Sequence, residues 1–283
     1  MTAASANAIR VLAGLLQVRT GQQLAISRIW RIETSLKPLL RERGFDTIDA
    51  LAAAVVLDRE SELAGAVVDA LLNNETYFFR DHAVFRLLDG PALDMIRAAR
   101  EPRRRLRIWS AGCSTGQEAY SLAIMLADEG ERWAGWTIDI LGTDVSGDAI
   151  ERARLGRFSQ FEIQRGLPVR VMLRWFDQVG ESWIAKRQLR RMIRFERHNV
   201  LDRPPQPAHF DLILCRNVLL YFPAEARADA FDRLSTAIAP DGVLMLGAGE
   251  TVLGHTGKFT SERMLRGLYR PSSHRPHQSH RAA

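Results

Sequence analysis

Residues 93–271 alternate strand-like and helix-like segments, which predicts an α/β fold on a doubly wound, mostly parallel sheet. Residues 1–72 predict a separate, small all-helical domain. Three observations carry this. The stretch FDLILCRNVLLYF is apolar almost without interruption up to Cys215, as a strand buried on both faces must be. RLRIWSAG runs straight into CSTGQEAYSLAIMLADEG, a glycine turn followed by an amphipathic helix. Before Leu72 the apolar residues recur only at helical spacing.

In chain order, the first helix lies within SANAIRVLAGLLQVRTG, shows Ile9, Leu12, Leu15 and Leu16 at helical spacing, and stops at Gly21. The second, QQLAISRIWRIETSLKPLLRERG, ends at Gly44 and has Pro38 as a kink point. DTIDALAAAVVL and SELAGAVVDALL follow, with Asp46 or Thr47 and then Ser61 as N-caps. Residues 73–92 read as a linker. RLRIWSAG and WTIDILGTD are the first two strands, and Ser146 caps the helix SGDAIERARLG. RMIRFERHNV is the third strand and FDLILCRNVLLYF the fourth. AEARADAFDRLSTAIAPDG is a helix closed by Pro240 and Gly242, leading into the strand VLMLGAG; KFTSERM and GLYR are the last strands. The tail, residues 272–283, has no apolar periodicity and is expected to be disordered.

Composition excludes several classes. Hydrophobic residues make up 46% and charged residues 25% of the 283, the balance of a globular protein. No run approaches the roughly 18 apolar residues of a membrane span. The opening MTAASANAIRVLAGLLQV carries Arg10 within its apolar run and lacks the basic start of a signal peptide, so a cytoplasmic location is expected. Cys113 and Cys215 are too few for a disulfide framework and too isolated for a metal site, so no metal is expected. The net charge of +6 is carried by arginine, since only Lys37, Lys186 and Lys258 are lysines. Basic residues cluster in residues 1–45, 97–107 and 186–197, which suits an acidic partner or a solvated face.

The first strand-to-helix turn, SAGCSTGQEAYS, holds Gly112 and Gly116 as G-x-x-x-G rather than the G-x-G-x-x-G of dinucleotide enzymes. A looser turn suits a ligand without phosphates. The second strand ends in Asp144, where a carboxylate can accept both ribose hydroxyls of a nucleoside. Turn and acid together point to S-adenosylmethionine rather than a nicotinamide cofactor. The linker NNETYFFRD concentrates Tyr77, Phe78 and Phe79 among polar residues, more specificity than a spacer needs.

NNETYFFRD, WSAGCSTGQEAYSLAI, GTDVS and FDLILCRNVLLYF, in this order after a helical domain, resemble the CheR family of chemotaxis receptor methyltransferases. The resemblance implies a class I S-adenosylmethionine-dependent methyltransferase fold, Rossmann-like, with a small antiparallel β-subdomain inserted at about residues 166–197. It implies methyl transfer to glutamate side chains on the cytoplasmic helices of chemoreceptors, with S-adenosylhomocysteine as product, by a monomer. By the same match Asn74, Thr76 and Arg80 contact the cofactor from the linker. Glu118 sits near its amino group, Asp144 at its ribose, and Asn199 and Val200 at its adenine. Arg216, Asn217 and Tyr221 lie beside the sulfonium and the incoming carboxylate. Tyr221 and Arg80 are the candidates for positioning that carboxylate. Gln117 and Ala119 depart from the family's frequent Glu and Pro without removing a ligand.

The linker then reads as a lid, with Phe78 and Phe79 anchoring it to the sheet domain. The basic N-terminal half is expected to dock on the receptor, Arg28 and Arg31 being candidate contacts. ESWIAKRQLRRMIRFER reads as a hairpin with KRQLRR near its turn, and the short FDQVGES before it argues against a receptor-tail pentapeptide tether. Two other readings compete. A nucleic-acid methyltransferase would use the basic clusters, but the segment after the fourth strand, RNVLLYF, lacks the Pro pair of base-methylating enzymes. A non-catalytic cofactor-sensing module is opposed by the intact polar set.

Overall fold

The computed structural model describes residues 4–24, 30–207, 209–262, 265 and 267–272, without the side chains of Trp30 and Arg31. Arg28 and the tail from residue 273 lie outside the described residues, as does the Arg31 side chain. The chain opens with α1 (Ala6–Thr20), α2 (Trp30–Arg43), α3 (Ile48–Leu57) and α4 (Glu62–Leu71). Ser5, Thr47 and Ser61 cap α1, α3 and α4 by accepting the N–H three residues on, satisfying donors a helix start leaves free. Gly21 ends α1 in the left-handed region at φ 77°. Pro38 lies within α2 without ending it. Leu12, Leu16, Leu36, Leu40, Leu51 and Val67 meet in one apolar cluster, as the helical periodicity predicts.

The linker is more structured than its composition suggests. It contains α5 (His82–Leu87) and a π-type turn, Leu88–Ala92, before α6 (Leu93–Arg100). The sheet-forming part follows with β1 (Arg105–Ala111), α7 (Gln117–Asp128), β2 (Thr137–Asp144) and α8 (Gly147–Leu155). Next come β3 (Arg157–Ser159), α9 (Gln160–Gln164), α10 (Val169–Trp175), β4 (Phe176–Val179), β5 (Ser182–Ala185) and α11 (Arg187–Arg190). β6 (Ile193–Arg197), β7 (Phe210–Cys215), a 3-10 turn at Leu219–Tyr221, α12 (Ala224–Ala237), β8 (Ile238–Leu246), β9 (Phe259–Ser261) and β10 (Leu268–Pro271) complete it.

Seven strands form one sheet in the order β6-β2-β1-β7-β8-β10-β9. The first five run parallel, β10 is antiparallel to β8, and β9 is antiparallel to β10. This is the doubly wound class expected. Successive residues of β1 serve opposite layers: Ile108 packs with α7, and Trp109 packs with α12. Every residue of β7 is buried, which accounts for its apolar run; the one charged member, Asp211, is paired with Arg100. The strand order reverses beside β1, so a crevice opens beyond the carboxyl ends of β1 and β7.

Four expectations need correction. ESWIAKRQLRRMIRFER is not a hairpin: β5 belongs to a small antiparallel sheet, order β3-β5-β4, whereas β6 pairs with β2 in the main sheet. KRQLRR is not a strand turn but holds α11, whose Leu189 is fully buried under its charged neighbours. The small sheet therefore spans 157–185 rather than 166–197, because the three-residue β3 completes it. Finally, α12 stops at Ala237 and β8 starts at once, with a register irregularity between Phe210 and Leu212 where Asp241 and Gly242 are accommodated.

Phe78 anchors the linker to this small sheet. Its ring is fully buried and meets Phe158 of β3 at 4.9 Å and Phe176 of β4 at 5.6 Å, both edge-on. Such pairs contribute about 0.5–1.5 kcal/mol each beyond area burial. Phe79 packs instead on Phe85 of α5, and its N–H donates to Ser121 Oγ of α7 at 2.9 Å.

Candidate active site

A cleft, open at its mouth, lies where β1, β2 and β7 end, roofed by the linker and by the end of α1. Asn74, Thr76, Arg80, Glu118, Asp144, Asn199, Val200, Arg216, Asn217 and Tyr221 all line it.

The floor is made by the turn after β1. Gly112 adopts φ 78°, and a Cβ there would overlap Val218, so only glycine lets the turns after β1 and β7 touch. Asp144, at the end of β2, is buried and accepts the N–H of Ser114 at 2.8 Å through Oδ2 and of Ser146 at 2.9 Å through Oδ1. Each oxygen keeps capacity for a further donor. Burial pushes the Asp144 carboxyl above its usual range, and the backbone N–H groups oppose that shift.

Arg216 follows β7, and its side chain is only 1% exposed. It donates to Glu118 Oε2 at 2.9 Å, to Asp81 Oδ2 at 2.7 Å and to the Arg80 carbonyl at 3.0 Å. Glu118 also accepts from Ser110 Oγ at 2.8 Å. This buried cation is held by two anions, and it ties the linker to β7 and α7. Arg216 Nε and Asn217 Oδ1 are buried without a hydrogen-bond partner among the described residues. Arg80 sits nearer the mouth, donating to the Glu75 carbonyl at 2.9 Å and lying 5.8 Å from the Tyr77 ring.

Tyr221 is on the 3-10 turn rather than at a strand end, and its hydroxyl accepts from Asn73 Nδ2 at 2.6 Å. Asn199 accepts the Leu201 N–H at 3.1 Å and donates to the Thr20 carbonyl at 3.3 Å, joining the helical bundle to the cleft. Several lining residues escaped the sequence reading: Thr20, Gln22, Asn73, Ser114 and His198. Asn73 stood inside the quoted linker, so its neighbours were a usable signal. His198 was adjacent to Asn199 but carried no motif of its own. Burial lowers its imidazole pKa, favouring the neutral ring. Cys113 and Cys215 are buried, with thiols pushed well up by burial, which suits packing and not nucleophilic chemistry. Among the described residues there is no cluster of His, Cys, Asp and Glu arranged for a metal, and no helix long and apolar enough to cross a membrane.

Comparisons with known proteins give the family. The family model described as CheR methyltransferase, SAM binding domain, matches residues 74–267. The chemotaxis protein methyltransferase of Vibrio parahaemolyticus is 32% identical over 89% of this chain and 92% of its own length. Chemotaxis protein methyltransferase 1 of Pseudomonas aeruginosa is 35% identical, also over 89% of this chain and 92% of its own. Among solved structures, a TehB-like SAM-dependent methyltransferase from Corynebacterium glutamicum is 21% identical, covers 62% of this chain and 76% of its own, and has a TM-score of 0.33, too low to carry an argument. The match of the cofactor-domain model across the linker and every strand but β10, with relatives above 30% identity over most of the chain, makes this chain a member of the CheR methyltransferase family.

Proposed function

We propose that this protein transfers a methyl group from S-adenosylmethionine to glutamate side chains on the cytoplasmic helices of chemoreceptors, forming glutamyl methyl esters in the cytoplasm. The observation that carries the reading is the combination, in a CheR-family chain, of a buried ribose-type acid, Asp144, with the Arg216–Glu118 pair in one cleft. The names of the relatives as chemotaxis protein methyltransferases support the receptor as substrate.

The polar set fits the cofactor. Asp144 has spare acceptor capacity on both oxygens for ribose hydroxyls, and the unpartnered Arg216 Nε and Asn217 Oδ1 offer a donor and an acceptor at the other side. Glu118 would face the cofactor's amino group, Asn199 and Val200 its adenine, and Asn74, Thr76 and Arg80 would close over it from the linker. S-adenosylmethionine, when bound, supplies an electrophilic methyl on a sulfonium.

The chain's own work is then orientation. A glutamate carboxylate with pKa near 4.3 is ionised at pH 7, so the site needs no general base. Tyr221 would hold the incoming carboxylate, its hydroxyl being fixed by Asn73. Arg80 would steer the carboxylate from the mouth, and the Phe78-anchored linker would exclude water from neutralising charges.

We assign residues 1–72 to receptor docking, 73–92 to the lid and 93–271 to methyl transfer, in a monomer that needs no receptor-tail tether. Incubation with radiolabelled S-adenosylmethionine and receptor-containing membranes tests the function. Base-labile label on the receptor is the expected result, and alkali-stable label on RNA would replace this reading with the nucleic-acid one.

A further inference from the structure

The turn that carries Asn217 and Tyr221 is held by a residue outside every motif. Glu250 lies in the loop after β8, 33 residues from Asn217, and its carboxylate accepts four backbone N–H groups. Oε2 takes Asn217 N at 2.8 Å and Gly247 N at 2.9 Å; Oε1 takes Val218 N at 3.0 Å and Leu220 N at 3.2 Å. Asn217 stands at φ 59°, a conformation that non-glycine residues seldom adopt. Val218 and Leu220 lie at the opening of the 3-10 turn, where backbone donors have no partner within the turn and negative charge is favourable. Gly247 is part of the same arrangement. A Cβ there would lie 2.8 Å from Glu250 Oε2 and 3.0 Å from Asn217 N, so only glycine admits this approach.

We infer that Glu250 is a positioning residue for methyl transfer: its four N–H contacts set Asn217 toward the cofactor side of the cleft and Tyr221 toward the incoming carboxylate. The inference rests on the roles given to Asn217 and Tyr221 under the proposed function. It requires a carboxylate rather than an amide. Each oxygen already serves two N–H donors, so an amide nitrogen in either place would face two donors with none to receive.

Glu250→Gln, nearly the same shape, tests it in the full-length protein. In the ¹⁵N-labelled chain the pair facing the new amide nitrogen, either Asn217 and Gly247 or Val218 and Leu220, should move upfield in the variant; unchanged shifts at all four overturn the inference. That readout needs no substrate. In receptor methylation, Glu250→Gln should lower kcat at least about tenfold, and adding Tyr221→Phe should lower it by less than about twofold more. In S-adenosylhomocysteine affinity, Asn217→Ala should likewise add less than about twofold on the Glu250→Gln background. Fully multiplicative effects in both cycles would mean that Glu250 acts through neither residue, and would overturn the inference. If Glu250→Gln does not fold, Glu250→Asp, which keeps the charge but shortens the reach, takes its place in both cycles. A wild-type protein that labels no receptor would refute the proposed function, and the amide shifts and the affinity cycle would then decide the role of Glu250 alone.

Discussion

Asp144 offers a quantitative test of the cofactor site. Removing the side chain would strand the N–H groups of Ser114 and Ser146, which it accepts at 2.8 and 2.9 Å, and would confuse binding with folding. Asp144→Asn is the milder perturbation, because it keeps the volume and one acceptor oxygen and leaves only one of the two N–H groups without an acceptor. The amide loses the charge and one acceptor, so one charge-assisted bond to a ribose hydroxyl is lost, about 1.5–3 kcal/mol. That corresponds to affinity about 10- to 150-fold weaker. Titration calorimetry with S-adenosylhomocysteine measures it, with circular dichroism to confirm the fold. The pH dependence follows from the same group. Burial raises the Asp144 pKa, and only the ionised carboxylate can accept both hydroxyls. Cofactor affinity should therefore fall as pH falls, beginning above the ordinary carboxylate range, and the variant should show a flatter profile. A folded variant that binds within about twofold of wild type, with an unchanged pH profile, would refute the ribose assignment.

Phe78→Ala should cost about 3–5 kcal/mol in urea unfolding, since a fully buried ring leaves a cavity against Phe158 and Phe176. A loss below 1 kcal/mol, about the scale of a surface change, would mean the linker is not anchored there. Arg216→Met should destabilise by about 3–5 kcal/mol, because Glu118 and Asp81 lose their shared cation; wild-type stability would show that pair to be dispensable. Raised salt should increase the apparent receptor KM and leave S-adenosylhomocysteine affinity nearly constant, as screened docking charges require. A receptor-tail pentapeptide should not bind. Micromolar binding with shifts along the edge strand Phe176–Val179 would overturn that expectation; β5 is central in its sheet and has no free edge to offer.

The core of the fold was legible because its signals are local. The apolar run of β7, the glycine turn after β1 and the acid closing β2 each follow from burial or ligand approach at that point of the chain. The small sheet was not, because β3 has only three residues and too little alternation to announce a strand. Charge misled at KRQLRR, where one buried residue, Leu189, decides the helix among five polar ones. Glu250 was invisible for a different reason. It acts on backbone N–H groups, which every non-proline residue carries, so no pattern of side chains marks its targets.

Backbone strain concentrates around the cleft. Among the described residues, five other than glycine have positive φ: Phe79, Asp81, Arg104, Ser114 and Asn217. Ser114 and Asn217 line the cleft, and Phe79 and Asp81 flank Arg80, which also lines it. Such residues cost about 1–3 kcal/mol each and persist only where tertiary contacts determine them. Those contacts are present here. Ser121 accepts the Phe79 N–H, and Arg216 holds the Asp81 carboxylate. Asp144 accepts the Ser114 N–H, and Glu250 that of Asn217. Two of these four acceptors or donors, Asp144 and Arg216, are themselves candidate ligands of the cofactor. The groups that would bind S-adenosylmethionine thus also hold the strained backbone around it, and a substitution at either should disturb lid and cofactor together.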